Sequence, residues 1–461
     1  MSTDLFGFDE LTRLLNCRCF SFCGINGFSS VAIDSRAVRE GSLFFALPGN
    51  VCDGHGFVSD AFNAGAVGAV VEASKLDSFN LVNIAKDAKK VLLAVENTLK
   101  ALQDSARLYL EKFNNIIKVG ITGSSGKTTV KEITAAIISC EKNTVMNKGN
   151  LNSETGLPLS VFEVRSSCEV GVFELGMNRR GEISEIANVL KPNIALVTNI
   201  GSAHIEYFGT KEKILNEKKC IYNYLSHNDI ALVPANDEYS KELSSGITGN
   251  VKFYGSQNFK ELEGVRSLGL DGTEIIWAGE KINFALPGKH CLDDAMAAIA
   301  IAREIPVSNK AIKQGLESVK PLFGRLEILR DCDRGTTVIR DCYNANPEST
   351  AKSIEFCDSV IWQGRKIYVI ADMLELGEKS KQAHMELGSL LSESNADKVF
   401  LFGKEIEAAA ASIKSAFFYT DNFNDLSSAL NSYVQKGDLV LLKGSRGLAL
   451  ERLTPMLTGG V

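Results

Sequence analysis

Three observations predict an α/β fold in three domains. Short runs of buried-type residues alternate with helical stretches along most of the chain, as in VGVFEL (170–175), IALVT (194–198) and IALVP (230–234). A glycine-rich loop separates one such run, at 116–121, from a stretch with helical apolar spacing at 128–140. The length, 461 residues, exceeds what a single hydrophobic core accommodates. The first domain (1–97) holds brief apolar runs such as SLFFALPG (42–49) and GAVGAVVE (65–72), punctuated by turn residues. A helix over 98–113 leads into a central domain (98–319) built on a parallel sheet covered on both faces. After the helical run CLDDAMAAIAIAREI (291–305), the alternation returns in a third domain (320–461), with TVIRDC, KIYVIAD, KVFLFG and DLVLLKG as strands of a second doubly wound sheet. Two such domains side by side form a cleft at the carboxyl ends of their strands, where these sheets bind ligands.

Composition narrows the function. Apolar residues make up 45% and charged residues 23%, the balance of a globular chain, and the net charge of −6 argues against nucleic acid as the main partner. The N-terminus MSTDLFGFDE is acidic where a secretory signal is basic, and no apolar stretch reaches the roughly 18 residues of a spanning helix. A cytoplasmic protein without membrane insertion is expected. The 11 cysteines suit reduced thiols rather than a disulfide framework. Cys17, Cys19 and Cys23 are close enough for a metal clip but lack an adjacent fourth ligand, so packing is the simpler account.

The chemistry centres on Gly123, Ser124, Ser125, Gly126, Lys127, Thr128 and Thr129. Glycines let backbone N–H groups turn toward phosphate oxygens, the following helix N-terminus favours negative charge, Lys127 reaches the terminal phosphates and the Thr128 hydroxyl suits Mg²⁺. The position six before Lys127 is Ile121 rather than glycine, which marks a subtype of the common nucleotide loop. Phosphoryl transfer needs cations, and cations need carboxylates at strand ends. Glu174 ends its strand and fits a Mg²⁺ ligand, or else an ordinary solvated glutamate. His204, after the 194–198 strand, fits either a metal ligand or a structural loop histidine.

TGSSGKTT, GNLNSETGLP (149–158), VFELGMNRRGEI (172–183) and NIGSAHIEYFG (199–209) together resemble the central domain of the Mur ligases. DCYNANPEST (341–350), IADMLELGEKSKQAH (370–384), LKGSRGLALE (442–451), IDSRAVREGSLFFALPG (33–49) and DGHGFV (53–58) extend the likeness over nearly the whole chain. They favour the branch whose members add D-alanyl-D-alanine to a UDP-N-acetylmuramoyl tripeptide in peptidoglycan synthesis. The resemblance implies a small N-terminal domain binding the UDP-linked precursor, a central domain like the P-loop ATPases, and a Rossmann-like C-terminal domain. It further implies an ATP-dependent ligase that activates a carboxylate as an acyl phosphate, working as a monomer. Another ligase of the superfamily with a different amine substrate, an NTPase sharing only the loop, and a non-catalytic binding protein are the alternatives.

By that resemblance Lys127 and Thr128 hold ATP phosphates and Mg²⁺, Glu174 and His204 ligate metal, and Asn150 and Asn199 lie near the phosphates. Lys218 falls where the family carries a carbamylated lysine, whereas its own context, Glu217-Lys218-Lys219, reads as a solvated helix face. Arg325 and Asp341 match nucleotide contacts from the C-terminal domain, and Asn344 and Asn346 match substrate contacts, although their setting also suits a purely structural turn. Asp34, Ser35 and Arg36 correspond to the uridine diphosphate site, where a planar arginine fork suits a diphosphate. His290 opens the adenine-binding helix. There the sequence departs from the family, because Asp294 replaces an asparagine that both donates and accepts.

Overall fold

The computed structural model describes residues 5–49, 51–331, 335–414 and 416–459. The N-terminal sheet has five strands in the order Arg18–Ser21, Val91–Val95, Gly68–Glu72, Ser42–Phe45, Ser30–Ala32, and only the first pair is antiparallel. Its three inner strands read as continuous apolar runs because both of their faces are covered, whereas the edge strand Arg18–Ser21 is largely exposed. Within SLFF the side chains alternate: Phe44 packs with Phe62 and Leu81 on one face, while Leu43 and Phe45 join the cluster containing Ala101 and Leu102 on the other. His55 of DGHGFV is buried, accepting a hydrogen bond from Glu72 N at 2.9 Å, and so holds this domain together.

Helix Thr98–Leu110 is capped by Asn97, whose side chain accepts from Lys100 N at 2.8 Å. It ends three residues before the predicted 113 and joins two domains. One side meets the N-terminal sheet, and the other packs on helices Gly156–Val161 and Glu182–Leu190, with the Tyr109 hydroxyl donating to Val164 O at 2.7 Å.

The central sheet runs Asn250–Tyr254, Ile230–Pro234, Ile194–Val197, Ile117–Thr122, Val170–Glu174, Thr144–Met146, all parallel. The sequence does not single out either edge strand, at 144–146 or 250–254, or the antiparallel sheet of Leu262–Ser267, Thr273–Trp277 and Glu280–Phe284. These strands are half solvated, so they lack the long apolar runs that mark buried parallel strands. The helix after the glycine-rich loop, Lys127–Ile138, packs between helices Lys289–Arg303 and Asn309–Ser318.

The C-terminal sheet has the order Glu327–Arg330, Thr337–Asp341, Leu439–Lys443, Lys366–Ala371, Lys398–Phe402, Phe417–Thr420, antiparallel only at the first pair. The connection reverses direction beside Thr337–Asp341 and Leu439–Lys443, so Asp341 and Lys443 emerge at the switch point. Among the described residues no helix is long and apolar enough to cross a membrane, the cysteines are free, and no group of three His, Cys, Asp or Glu side chains is placed to hold a metal. That applies to the cluster at Cys17, Cys19 and Cys23 as well.

Gly315 marks a close helix approach: a Cβ there would sit 2.3 Å from Ile137 Cα. Helix propensity alone favours alanine by about 1 kcal/mol. Backbone overlap in a packed interface opposes it by about 1–3 kcal/mol and wins. Gly315→Ala therefore lowers the thermal midpoint, and an unchanged or raised midpoint in a melting scan would contradict this packing.

Candidate active site

The loop between strand Ile117–Thr122 and helix Lys127–Ile138 admits only glycine at two points. Gly123 has φ +153° and Gly126 φ +78°, and added Cβ atoms would lie 1.8 Å from Thr198 Oγ1 and 2.2 Å from Asp294 Oδ1. Neighbouring residues hold the loop open. Ser124 N donates to Asn199 O at 3.0 Å, Ser125 N donates to Asn199 Oδ1 at 3.1 Å, and Ser125 O accepts from Thr198 Oγ1 at 2.6 Å. The first N–H groups of the helix, at Lys127, Thr128 and Thr129, have no intrahelical acceptor and favour an anion.

Glu174 sits beneath this loop, 2% exposed. Its Oε2 accepts from Thr128 Oγ1 at 2.8 Å and its Oε1 from Asn152 Nδ2 at 2.7 Å. The amide of Asn147 accepts from Glu174 N at 2.9 Å and donates to Glu174 O at 3.0 Å, as a neighbouring strand would. Lys131, fully buried, donates to Asn147 O at 2.8 Å. Nothing in the sequence singles out Lys131, Asn147 and Asn152 as site residues. The clustered asparagines at 147–152 are the only local signal of the last two. Asn150 itself is exposed at the cavity edge.

Two ammonium groups converge on one carbonyl. Lys127 Nζ donates to Gly123 O at 2.8 Å, and Lys218 Nζ donates to the same oxygen at 2.9 Å. Lys218 is 1% exposed and has no carboxylate in ion-pair range among the described residues. Burial, aided by the Lys127 charge, pushes its pKa well below the usual lysine value. The charged run is therefore not a solvated face. Glu217 turns inward to accept from Gly181 N at 2.8 Å and Ile183 N at 2.9 Å, whereas Lys219 points outward to Glu242 O.

A cavity of about 580 Å³ lies between the central and C-terminal domains and brings together most of the predicted residues. Ser124 to Thr129, Asn150, Glu174, Asn199, His204, His290 and Asp294 line its central side, and Arg325, Asp341, Asn344 and Asn346 its C-terminal side. Gly123 and Lys218 stand just behind this lining. Arg325 crosses the boundary, donating to Thr128 Oγ1 at 3.0 Å while stacking 4.4 Å over Tyr343. Burial lowers the His290 pKa to about 4 and raises that of Asp294, against the pull of Lys352. Asp341 accepts from Leu326 N at 3.1 Å, Ser353 Oγ at 2.5 Å and Lys443 Nζ at 2.8 Å. Asn346 caps helix Pro347–Ser359, accepting from Ser349 N at 2.8 Å, and Asn344 Oδ1 accepts from Ala345 N at 2.9 Å.

His204 has a left-handed backbone, φ +63°, and its Nδ1 lies 2.7 Å from Glu375 Oε2 of the C-terminal domain. The structure thus pairs it with a carboxylate rather than grouping it with Glu174. Asp34, Ser35 and Arg36 lie outside the cavity lining. Asp34 accepts from Arg36 N and forms a fork with its guanidinium, 2.7 Å at the shorter arm, and this holds the exposed carboxyl down at about 2.

Comparison with known proteins agrees with this architecture. The Mur ligase middle domain matches residues 121–302, the Mur ligase glutamate ligase domain 324–446, and the Mur ligase family catalytic domain 28–110. A UDP-N-acetylmuramoyl-tripeptide–D-alanyl-D-alanine ligase of Treponema pallidum is 40% identical over 98% of this chain and 99% of its own length. The Bacillus subtilis protein of that name is 34% identical over 92% of each. Among solved structures, MurF from Acinetobacter baumannii superimposes with a TM-score of 0.87 at 28% identity, covering 98% of this chain and 99% of that one. MurF ligase from Thermotoga maritima in complex with ADP gives 0.80 at 30% identity, covering 93% and 97%. The chain, from its N-terminal sheet to its C-terminal domain, belongs to the Mur ligase family.

Proposed function

We propose that this protein joins D-alanyl-D-alanine to UDP-N-acetylmuramoyl tripeptide at the expense of ATP, giving the pentapeptide precursor of peptidoglycan and so serving cell-wall growth, cell shape and division. The observation that carries the reading is the interdomain cavity, in which a glycine-rich loop with Lys127 and a buried glutamate, backed by Lys218, face Arg325 from the other domain. Nearly full-length relatives bearing that name support the choice of substrates. The UDP-linked substrate supports a cytoplasmic reaction, and a single chain that supplies both walls of the cavity supports a monomer.

A carboxylate is a poor acyl donor. Transfer of the ATP γ-phosphoryl group to the tripeptide's terminal carboxylate gives an acyl phosphate and ADP; the free amine of D-alanyl-D-alanine attacks its carbonyl, phosphate leaves, and an amide and a proton remain. The loop and the helix N-terminus orient the phosphates, Lys127 balances the charge that accumulates on them, and Asn150 and Asn199 border that site. His290 and Asp294 border the adenine, and a carboxyl oxygen of Asp294 can accept from the adenine amino group as the amide of an asparagine would. Arg325 and Asp341 reach the nucleotide from the C-terminal domain. Asn344 and Asn346 border the substrates, and Asp34, Ser35 and Arg36 hold the uridine diphosphate.

The Thr128 hydroxyl and the Glu174 carboxylate, 2.8 Å apart, form the oxygen-rich set that suits Mg²⁺, with His204 as a further ligand once freed from Glu375. Magnesium bound there would neutralise phosphate charge. Lys218 suits carbamylation because a buried amine of lowered pKa is partly neutral and can add CO₂, releasing one proton. The resulting anion would relieve the concentration of positive charge beside Gly123.

Incubation with ATP, Mg²⁺ and UDP-N-acetylmuramoyl tripeptide is expected to yield one phosphate and one new amide only when D-alanyl-D-alanine is present. Phosphate without amide would identify an NTPase, and a single amino acid as the preferred amine would identify another ligase of the family. Lys127→Ala should lower kcat at least about a hundredfold, as expected for losing a key charge-stabilising donor; near-normal turnover would remove the loop from the mechanism. Lys218→Ala is expected to be inactive and partly restored by added short carboxylates, and full activity without them would end the carbamate proposal.

A further inference from the structure

Segment 199–206 touches both halves of the cavity. Toward the central domain it shapes the phosphate loop through the Asn199 bonds to Ser124 and Ser125, and Gly201 N donates to Ser124 Oγ at 2.8 Å. Toward the C-terminal domain it is gripped at three points, one of them the His204–Glu375 pair. Glu206 N donates to Glu375 O at 3.0 Å. Glu348, in the first turn of helix Pro347–Ser359, accepts from Ser202 N at 3.0 and 3.1 Å through its two oxygens and from Ser202 Oγ at 2.8 Å, and Lys211 Nζ lies 3.2 Å away.

We infer that Glu348 is a positioning residue: by clasping Ser202 it seats the C-terminal domain and sets segment 199–204, and through that segment the Ser124 and Ser125 stretch of the phosphate loop. The inference rests on the proposed ligase reading only for its catalytic consequence. A carboxylate shared by a backbone N–H, a hydroxyl and an ammonium is a charge-assisted set, and its side chain is only 33% exposed, so solvent screens it weakly. Asn346, which caps the same helix, fixes the turn that presents Glu348. Docking of the C-terminal domain thus adds a second hold on the segment that already braces the phosphate loop, which couples closure to phosphate binding.

The test combines a double-mutant cycle in kcat with small-angle scattering of the full chain. Glu348→Ala is expected to lower kcat about tenfold or more, as losing several charge-assisted bonds implies. Glu348→Gln, which keeps an acceptor for Ser202, should regain part of the loss. Ser202→Ala should lower kcat alone yet add nothing to Glu348→Ala, a coupling that a merely structural role would not produce. With a non-hydrolysable ATP analogue and Mg²⁺, Glu348→Ala should keep a larger radius of gyration than the wild type. Wild-type kcat in Glu348→Ala, independent multiplication of the two losses, or an unchanged radius would overturn the inference. Should Glu348→Ala not fold, Glu348→Gln and Ser202→Ala carry the same comparisons. A wild-type protein that makes no amide would count against the ligase reading instead, and the scattering would still decide the clasp.

Discussion

The carbonyl oxygen of Gly123 receives two ammonium groups, Lys127 at 2.8 Å and Lys218 at 2.9 Å, and the rest of the site is arranged around that concentration of charge. Burial makes it expensive to keep both cations charged, and for each lysine the pKa falls for that reason first. Glu174 supplies nearby negative charge, but its oxygens are already engaged by Thr128 and Asn152. An anionic ligand at the loop, or an added negative charge on Lys218, relieves the imbalance. Phosphate affinity is therefore built in as an unmet electrostatic need rather than as a loop shape alone.

That need is maintained by a rigid support. Asn147 ties the strand end that carries Glu174, buried Lys131 ties Asn147, and Thr198 with Asn199 ties the loop from the adjacent strand. Each support comes from an element already packed in the central core, so the polar groups are held by the same burial that stabilises the sheet. The C-terminal domain shares the central domain's buried apolar cluster and adds polar contacts around the cavity: Arg325 on Thr128, Glu348 on Ser202, and Glu375 on His204 and Glu206.

The sequence made the phosphate loop legible because turn, cation and hydroxyl are adjacent in the chain, and strand periodicity made both parallel sheets legible because buried strands are continuously apolar. It concealed the sheet at 262–284, whose short, half-solvated strands alternate too briefly to stand out. It also concealed Asn147 and Lys131, since a buried polar residue is recognised by its partners, and those partners lie 16 to 27 positions away. For Lys218 the local pattern of three charges pointed to solvent, yet the helix turns Lys218 and Glu217 inward and leaves only Lys219 outside.

By itself, then, the sequence determined the α/β class, the nucleotide loop from Gly123 to Thr129 and the resemblance that led to the family, because these depend on residues close together in the chain. Tertiary structure alone decided which cations lack counter-ions, that His204 faces Glu375 rather than Glu174, that Asn346 caps a helix, and that Arg325 meets Thr128 across 197 positions. Charge, burial and hydrogen-bond partnership are properties of neighbours in space, and the chain brings those neighbours together only when its domains are packed.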